Sequence, residues 1–328
     1  MEVSRSSKRY VAFPPDQDQI EYWDLYLDQL NLHWSFGEFD FEKDKEDYNK
    51  LSPELMKIFD TILAYFAFTD GIVTENCVDI FMKTSRSIEC KIAYIQQAEI
   101  EVIHMITYGM AIKNYIQDEK KRYRILNSHD DDENVQAKTE WTKKYMDTSI
   151  PENERLVAFA CAEGIFFISA FAFIFYLKSK NLMPIFGSVN QSISKDEQKH
   201  AELSILRYNK DYKDDRLSQE KVHEIIRSAV ELEHDFIDRI LPHRIDDLFP
   251  EEIKGYVEVL ADNISYFLGY KKIYNRSMKI IPSWLSIISL EPKHNFYEVL
   301  PQNYRQFSKS DMKEKQEKKK INLDEVDF

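Results

Sequence analysis

At 328 residues with only 7 Gly and 10 Pro, the chain lacks the frequent turn residues that sandwiches and barrels require, while a 43% hydrophobic content suffices for one large domain. A formal net charge of -13 excludes a protein that coats nucleic-acid phosphates, because such a surface must present clustered Lys and Arg. Cys77, Cys90 and Cys161 are odd in number and form no Cys-x-x-Cys pair, which argues against a disulfide framework or a thiolate zinc site and for a reducing, cytoplasmic setting.

Residues 1–10 are polar and basic, without an apolar segment of signal-peptide length, and they open an N-terminal arm expected to cover residues 1–50. The first apolar helical pattern spans about residues 53–81, with Ser52, Pro53 and Glu54 supplying N-cap and first-turn chemistry. A second runs from about residue 87 to 115, and polar sequence near residues 127–134 reads as a surface connection. Residues 156–177 form the most apolar run, and three further helices are expected over residues 184–208, 218–241 and 250–274, interrupted by Pro242 and Pro282. The sequence therefore predicts an all-α helical domain over residues 51–306.

Beyond about Phe307 the composition turns to Lys and Glu, which bury too little surface to offset chain entropy, so residues 307–328 are expected to form a flexible tail. Its end, Leu323 to Phe328, regains apolar anchors between acids, the pattern of a chain end that docks into a partner's groove.

The run over residues 156–177 carries one ionisable side chain, Glu163. A membrane span ranks second, because a lone carboxylate near one end of a lipid-facing helix gains nothing. A central helix buried by other helices ranks first, provided that Glu163 finds a partner or a metal. Asp70 and Glu101 lie in similarly apolar stretches. Three carboxylates headed for a core, each costing several kcal/mol if unpaired, point to a shared cation.

Glu-x-x-His places two potential ligands on one helical face. The pattern occurs five times, at Glu101/His104, Glu197/His200, Glu220/His223, Glu231/His234 and Glu291/His294. In the helix over residues 218–241 the apolar stripe includes Val222, Ile225, Ile226, Ala229 and Phe236, so Glu220, His223, Glu231 and His234 are expected on the solvated face. Glu291/His294 contains Pro292 and drops out. Glu101/His104 and Glu197/His200 remain, and each follows a lone carboxylate, Asp70 by 31 residues and Glu163 by 34.

One carboxylate helix and one Glu-x-x-His helix, used twice, is the ligand set of ferritin-like bundles with a di-metal carboxylate site in a four-helix core. Four carboxylates and two imidazoles suit iron or manganese. Tyr108 lies one turn after His104 on the same face, within apolar sequence that would shield a one-electron-oxidised ring.

The stretches Arg9-Tyr10-Val11-Ala12-Phe13-Pro14, Thr69-Asp70-Gly71-Ile72-Val73, Glu101-Val102-Ile103-His104 with Tyr108, Glu163-Gly164-Ile165-Phe166-Phe167 and Ser194-Lys195-Asp196-Glu197-Gln198-Lys199-His200 resemble the small subunit of class I ribonucleotide reductases, in its eukaryotic and viral forms. The resemblance covers nearly the whole chain. It implies a homodimeric protein in which Asp70, Glu101 and His104 bind one iron and Glu163, Glu197 and His200 the other. These two Fe ions would form an oxo-bridged di-iron centre that reacts with O2, and manganese with iron suits the same hard ligands. Tyr108 would hold a stable radical within an apolar pocket of Phe167, Phe171 and Ile193. Trp34, Asp196 and Tyr304 would carry the oxidising equivalent toward the large subunit, docked by Leu323 to Phe328.

Two departures from the family pattern are Ala170, where many relatives carry Ser near the radical pocket, and the Lys-rich stretch from Lys313 to Lys320. The competing readings of the cage are a di-iron oxygenase or desaturase acting directly on an organic substrate, and a ferritin-like iron store.

Overall fold

The computed structural model describes residues 9–127, 133–276 and 285, with the backbone alone at residue 134. Among these residues all regular structure is helical, apart from an isolated bridge between Ile245 and Leu248. Tyr304, Glu291/His294, the Lys-rich stretch and the tail over residues 307–328 lie outside the described residues.

The N-terminal arm includes α1 (Ile20–Leu32), which buries Tyr22, Leu25 and Gln29, and the short α2 (Lys45–Lys50). α3 (Pro53–Asn76) begins as its sequence predicts, with Pro53 in the first turn and Ser52 Oγ accepting from the Leu55 amide at 3.2 Å. It continues through a π-helical turn, Cys77–Phe81, into α4 (Met82–Thr84). α5 (Ile88–Tyr115) is capped by Ser87, whose hydroxyl accepts from the Cys90 amide at 3.1 Å. α6 (Glu119–Leu126) and α7 (Glu133–Met146) flank the polar connection. α8 (Glu152–Ile165), α9 (Ile168–Ser179), α10 (Pro184–Asp211), α11 (Gln219–Ile240) and α12 (Pro250–Phe267) complete the order.

α3 packs on α5, α8 packs on α10, and α5 meets α10, so two pairs close into a four-helix core. α1 lies across α5 and α10, while α11 covers α8 and α12. The apolar run at α8–α9 is wholly buried by these neighbours, so its hydropathy serves the interior of the bundle.

That run is not one helix, contrary to the expectation from its composition. α8 ends at Ile165 and α9 begins at Ile168. The freed Phe166 carbonyl accepts hydrogen bonds from Tyr65 Oη at 2.9 Å and Lys138 Nζ at 3.1 Å, and the Ser169 amide donates to Glu233 Oε1 at 2.9 Å. Lys138 Nζ and Glu233 Oε2 meet at 2.5 Å, both side chains buried, with the ammonium over the rings of Phe236 and Tyr65. Side chains from three other helices thus replace the helical hydrogen bonds that the break gives up.

The expectation for α11 also needs correction at His223. Glu220 and Glu231 are exposed, but His223 is buried, its Nε2 2.9 Å from the Lys271 carbonyl and 3.2 Å from Ser265 Oγ. The chain after α12 folds back over the first turn of α11 and covers a face that the apolar stripe alone leaves to solvent.

Candidate metal centre

Asp70 on α3, Glu101 and His104 on α5, Glu163 on α8, and Glu197 and His200 on α10 converge in the middle of the core, each at most 1% exposed. Their ligand atoms form two overlapping groups that share Glu101: Asp70 with Glu101 and His104, and Glu101 with Glu163, Glu197 and His200. Each Glu-x-x-His pair works because a three-residue step along a helix keeps both side chains on one face. The lone carboxylates come from the partner helix in each packed pair.

The central contacts are reciprocal. Glu101 places Oε2 3.3 Å from His104 Nδ1 and Oε1 2.9 Å from His200 Nδ1. Glu197 does the same, with Oε1 3.3 Å from His104 Nδ1 and Oε2 2.9 Å from His200 Nδ1. Both imidazoles therefore turn Nδ1 inward. The outer nitrogen of His104, Nε2, meets Asp196 Oδ2 at 3.1 Å, and the same oxygen accepts from Trp34 Nε1 at 2.8 Å. Trp34 is buried and stacks near His104, with ring centroids 5.8 Å apart. At the other end Gln97 Nε2 donates to Glu163 Oε1 at 2.7 Å.

Burial pushes the Asp70 carboxyl well above its ordinary range, with Glu101 adding to the effect, and burial followed by the charges of Glu197 and Glu101 does the same to Glu163. Burial alone would lower His200, but Glu101 and Glu197 raise it to about 9. His104 is also raised, its burial outweighed by the hydrogen-bonded Asp196 and by the nearby carboxylates of Glu101 and Glu197. Burial alone would raise Glu197, but His104 and His200 lower it to about 2. Even so, Asp70 Oδ2, both oxygens of Glu101, His104 Nδ1 and Glu163 Oε2 have no hydrogen bond of good geometry although fully buried. Such groups cost about 1–3 kcal/mol each when unsatisfied. They face one another, which is the arrangement that a pair of cations satisfies, and their oxygen and imidazole character fits iron or manganese.

Tyr108 is fully buried on α5. Its ring stacks on Phe66 at 4.5 Å and meets the edge of Phe186 at 6.2 Å. Phe167 and Phe171 pack on Phe66 at 5.7 and 5.5 Å, behind the stacked pair, and Ile193 is buried on α10. The Tyr108 hydroxyl donates to Asn190 Oδ1 at 2.9 Å. Burial is the main cause that holds this phenol well above its ordinary pKa, so it stays protonated. Phe66, Gln97, Phe186 and Asn190 were not singled out from the sequence. Phe66 lies four residues before Asp70, Gln97 four before Glu101 and Asn190 seven before Glu197, spacings that share a helical face with a ligand and that could have found them.

The family described as ribonucleotide reductase, small chain, matches residues 9–282. The chain is 34% identical over 306 residues to a ribonucleoside-diphosphate reductase small chain of Nicotiana tabacum, covering 93% of this chain and 91% of the relative. It is 35% identical over 296 residues to that of Vaccinia virus (strain Ankara), covering 90% and 91%. Among solved structures, the Rnr4 homodimer of Saccharomyces cerevisiae matches with a TM-score of 0.72 at 27% identity, covering 83% of this chain and 85% of that one. A dimanganese(II) NrdF of Streptococcus sanguinis shares the fold at a TM-score of 0.77 and 14% identity, covering 86% and 99%.

Proposed function

Because this chain belongs to the ribonucleotide reductase small-chain family, we propose that it is the radical-generating chain of a ribonucleoside-diphosphate reductase, with Tyr108 as the side chain that stores the oxidising equivalent. Family membership selects this reading over an iron store or an oxygenase acting directly on an organic substrate. The supporting observation is the convergence, from four helices, of Asp70, Glu101, His104, Glu163, Glu197 and His200, four carboxylates and two inward Nδ1 atoms, one turn from buried Tyr108 on α5.

Asp70, Glu101 and His104 would hold one ion and Glu163, Glu197 and His200 the other, with Glu101 in reach of both groups of ligand atoms. When bound, a pair of iron ions supplies the power, drawn from O2, to remove one electron from a phenol; manganese with iron is the alternative filling. This chain's own residues do the rest. Phe66 and Phe186 exclude water from the Tyr108 ring, and Asp196 fixes the orientation of His104 while joining it to Trp34. Trp34 and Asp196 would begin the path to the large chain. Tyr304 and the docking segment Leu323 to Phe328 would complete it, outside the described residues.

We place the protein in the cytoplasm, where its three buried, unpaired thiols stay reduced; Cys90, for example, is pushed up to about 11 mainly by burial. A homodimer is the proposed assembly, through a stripe on α5 where Ile95, Val102 and Ile106 are exposed apolar residues spaced along one face.

The test is to load the metal-free protein with ferrous iron, admit O2 and record electron paramagnetic resonance alongside metal analysis. A tyrosyl signal in the wild type that is absent in Tyr108→Phe is expected. A signal that persists in that variant removes Tyr108 from the role.

A further inference from the structure

We propose that Asn190 is a positioning residue for Tyr108, directing the phenolic hydrogen bond to a neutral amide oxygen that its own anchor on the Phe186 carbonyl holds in place. This deepens the reading of Tyr108 given above and rests on it for its functional meaning.

The orientation of the amide follows from its surroundings. Asn190 Nδ2 donates to the Phe186 carbonyl, one helical turn earlier on α10, at 2.8 Å. A carbonyl only accepts, so reversing the amide would set two acceptor oxygens against each other. Oδ1 must therefore face Tyr108, and the phenol at 2.9 Å can act only as the donor. Phe186 is itself fixed, since its amide donates to Asp44 Oδ2 at 2.7 Å and its ring packs on Phe59 and Tyr115. Asn190 is fully buried, so water does not compete for the contact.

Asn190 is tied on both sides, by the Phe186 carbonyl at Nδ2 and the Tyr108 hydroxyl at Oδ1, so it fixes the direction in which the phenol O–H points. The sequence carries the means in a spacing: Asn190 precedes Glu197 by seven residues, two turns of α10, so the helix that supplies two ligands also supplies the anchor.

The test uses ultraviolet resonance Raman spectra of the metal-free, full-length chain, where the intensity ratio of the tyrosine ring doublet reports whether the hydroxyl donates or accepts. Subtracting the Tyr108→Phe spectrum isolates this residue. The wild-type difference should show the donor pattern, Asn190→Leu should lose or alter it, and Asn190→Asp, which keeps an acceptor oxygen, should retain it, with circular dichroism reporting the fold of each variant. If a folded Asn190→Leu leaves the difference spectrum unchanged, the hydroxyl is held elsewhere and the proposal fails. Should Asn190→Leu not fold, the Asn190→Asp spectrum decides: loss of the donor pattern overturns the assignment and its retention supports it. Iron-loaded Tyr108→Phe separates the two readings, because a tyrosyl signal surviving there removes the radical role while leaving the Raman result on Asn190 standing.

Discussion

Glu101 Oε1 lies 2.9 Å from His200 Nδ1, although the two residues come from different helices of the core and belong to different Glu-x-x-His pairs. The carboxylate of one pair thus serves the imidazole of the other, and Glu101 belongs to both ligand groups. Glu101→Ala should therefore lower bound iron from the proposed two per chain to below one, whereas Asp70→Ala, which touches one group, should leave about one. Metal analysis after ferrous loading checks this. Equal losses in the two variants would show that Glu101 does not span the site.

Proton release should accompany metal uptake. Asp70 and Glu163 are raised carboxyls, and His200, raised to about 9, is protonated at neutral pH. Each proton competes with a metal for the same atom, so affinity should rise with pH through the neutral range and fall as the cage protonates. Calorimetric titration at pH 7 in two buffers of different ionisation enthalpy measures the protons lost. A heat independent of buffer would contradict the expectation.

Breaking the Lys138–Glu233 pair should destabilise the fold more than most single substitutions. Removing one partner strands a buried charge, at a cost of about 3–5 kcal/mol, while also freeing backbone groups at the helix break. Lys138→Met should show this loss in denaturant unfolding, and Lys138→Met with Glu233→Leu should recover part of it. A single substitution costing under about 1 kcal/mol would mean that the pair does not hold the break.

The Trp34–Asp196 link predicts a division between radical formation and turnover. Trp34→Phe keeps an aromatic ring beside His104 but removes the indole N–H donor to Asp196. Activity with the large chain should fall by roughly 10–100-fold, the range typical for outer partners of metal ligands. The Tyr108 signal should persist. Turnover that survives intact would place the path elsewhere.

Val102→Glu probes the proposed self-association. Val102 sits in the exposed apolar stripe of α5, next in sequence to Glu101 yet on the outer face. A charge there should shift sedimentation from dimer to monomer with metal content unchanged. A dimer that persists at micromolar concentration would move the interface to another face.

The convergence of the six candidate ligands was legible because a carboxylate in an apolar helix is conspicuous and a three-residue spacing fixes its companion; neither inference needs long-range contacts. Trp34 and Asp196 were reached through the resemblance, and the structure brings them within hydrogen-bond distance. Gln97 and Asn190 stayed hidden because a polar residue becomes a partner only when another helix presents a complementary atom. Lys138 and Glu233 were not singled out, since nothing local reveals that they meet across the bundle. His223 was misplaced for the same reason: its cover comes from Ser265 and Lys271, distant in sequence. The π-helical turn at Cys77–Phe81 left no signal in the apolar periodicity that predicted α3.

The interruption after Ile165 makes a joint of what would otherwise be one stiff rod. Glu163 stands on one side of it and Phe171 on the other, and the Phe166 carbonyl between them is held by side-chain tethers rather than by the helix itself. The carboxylate and the aromatic packing behind the Phe66–Tyr108 stack thus stand on separate helical segments, so a shift in one is not carried to the other by a continuous helix.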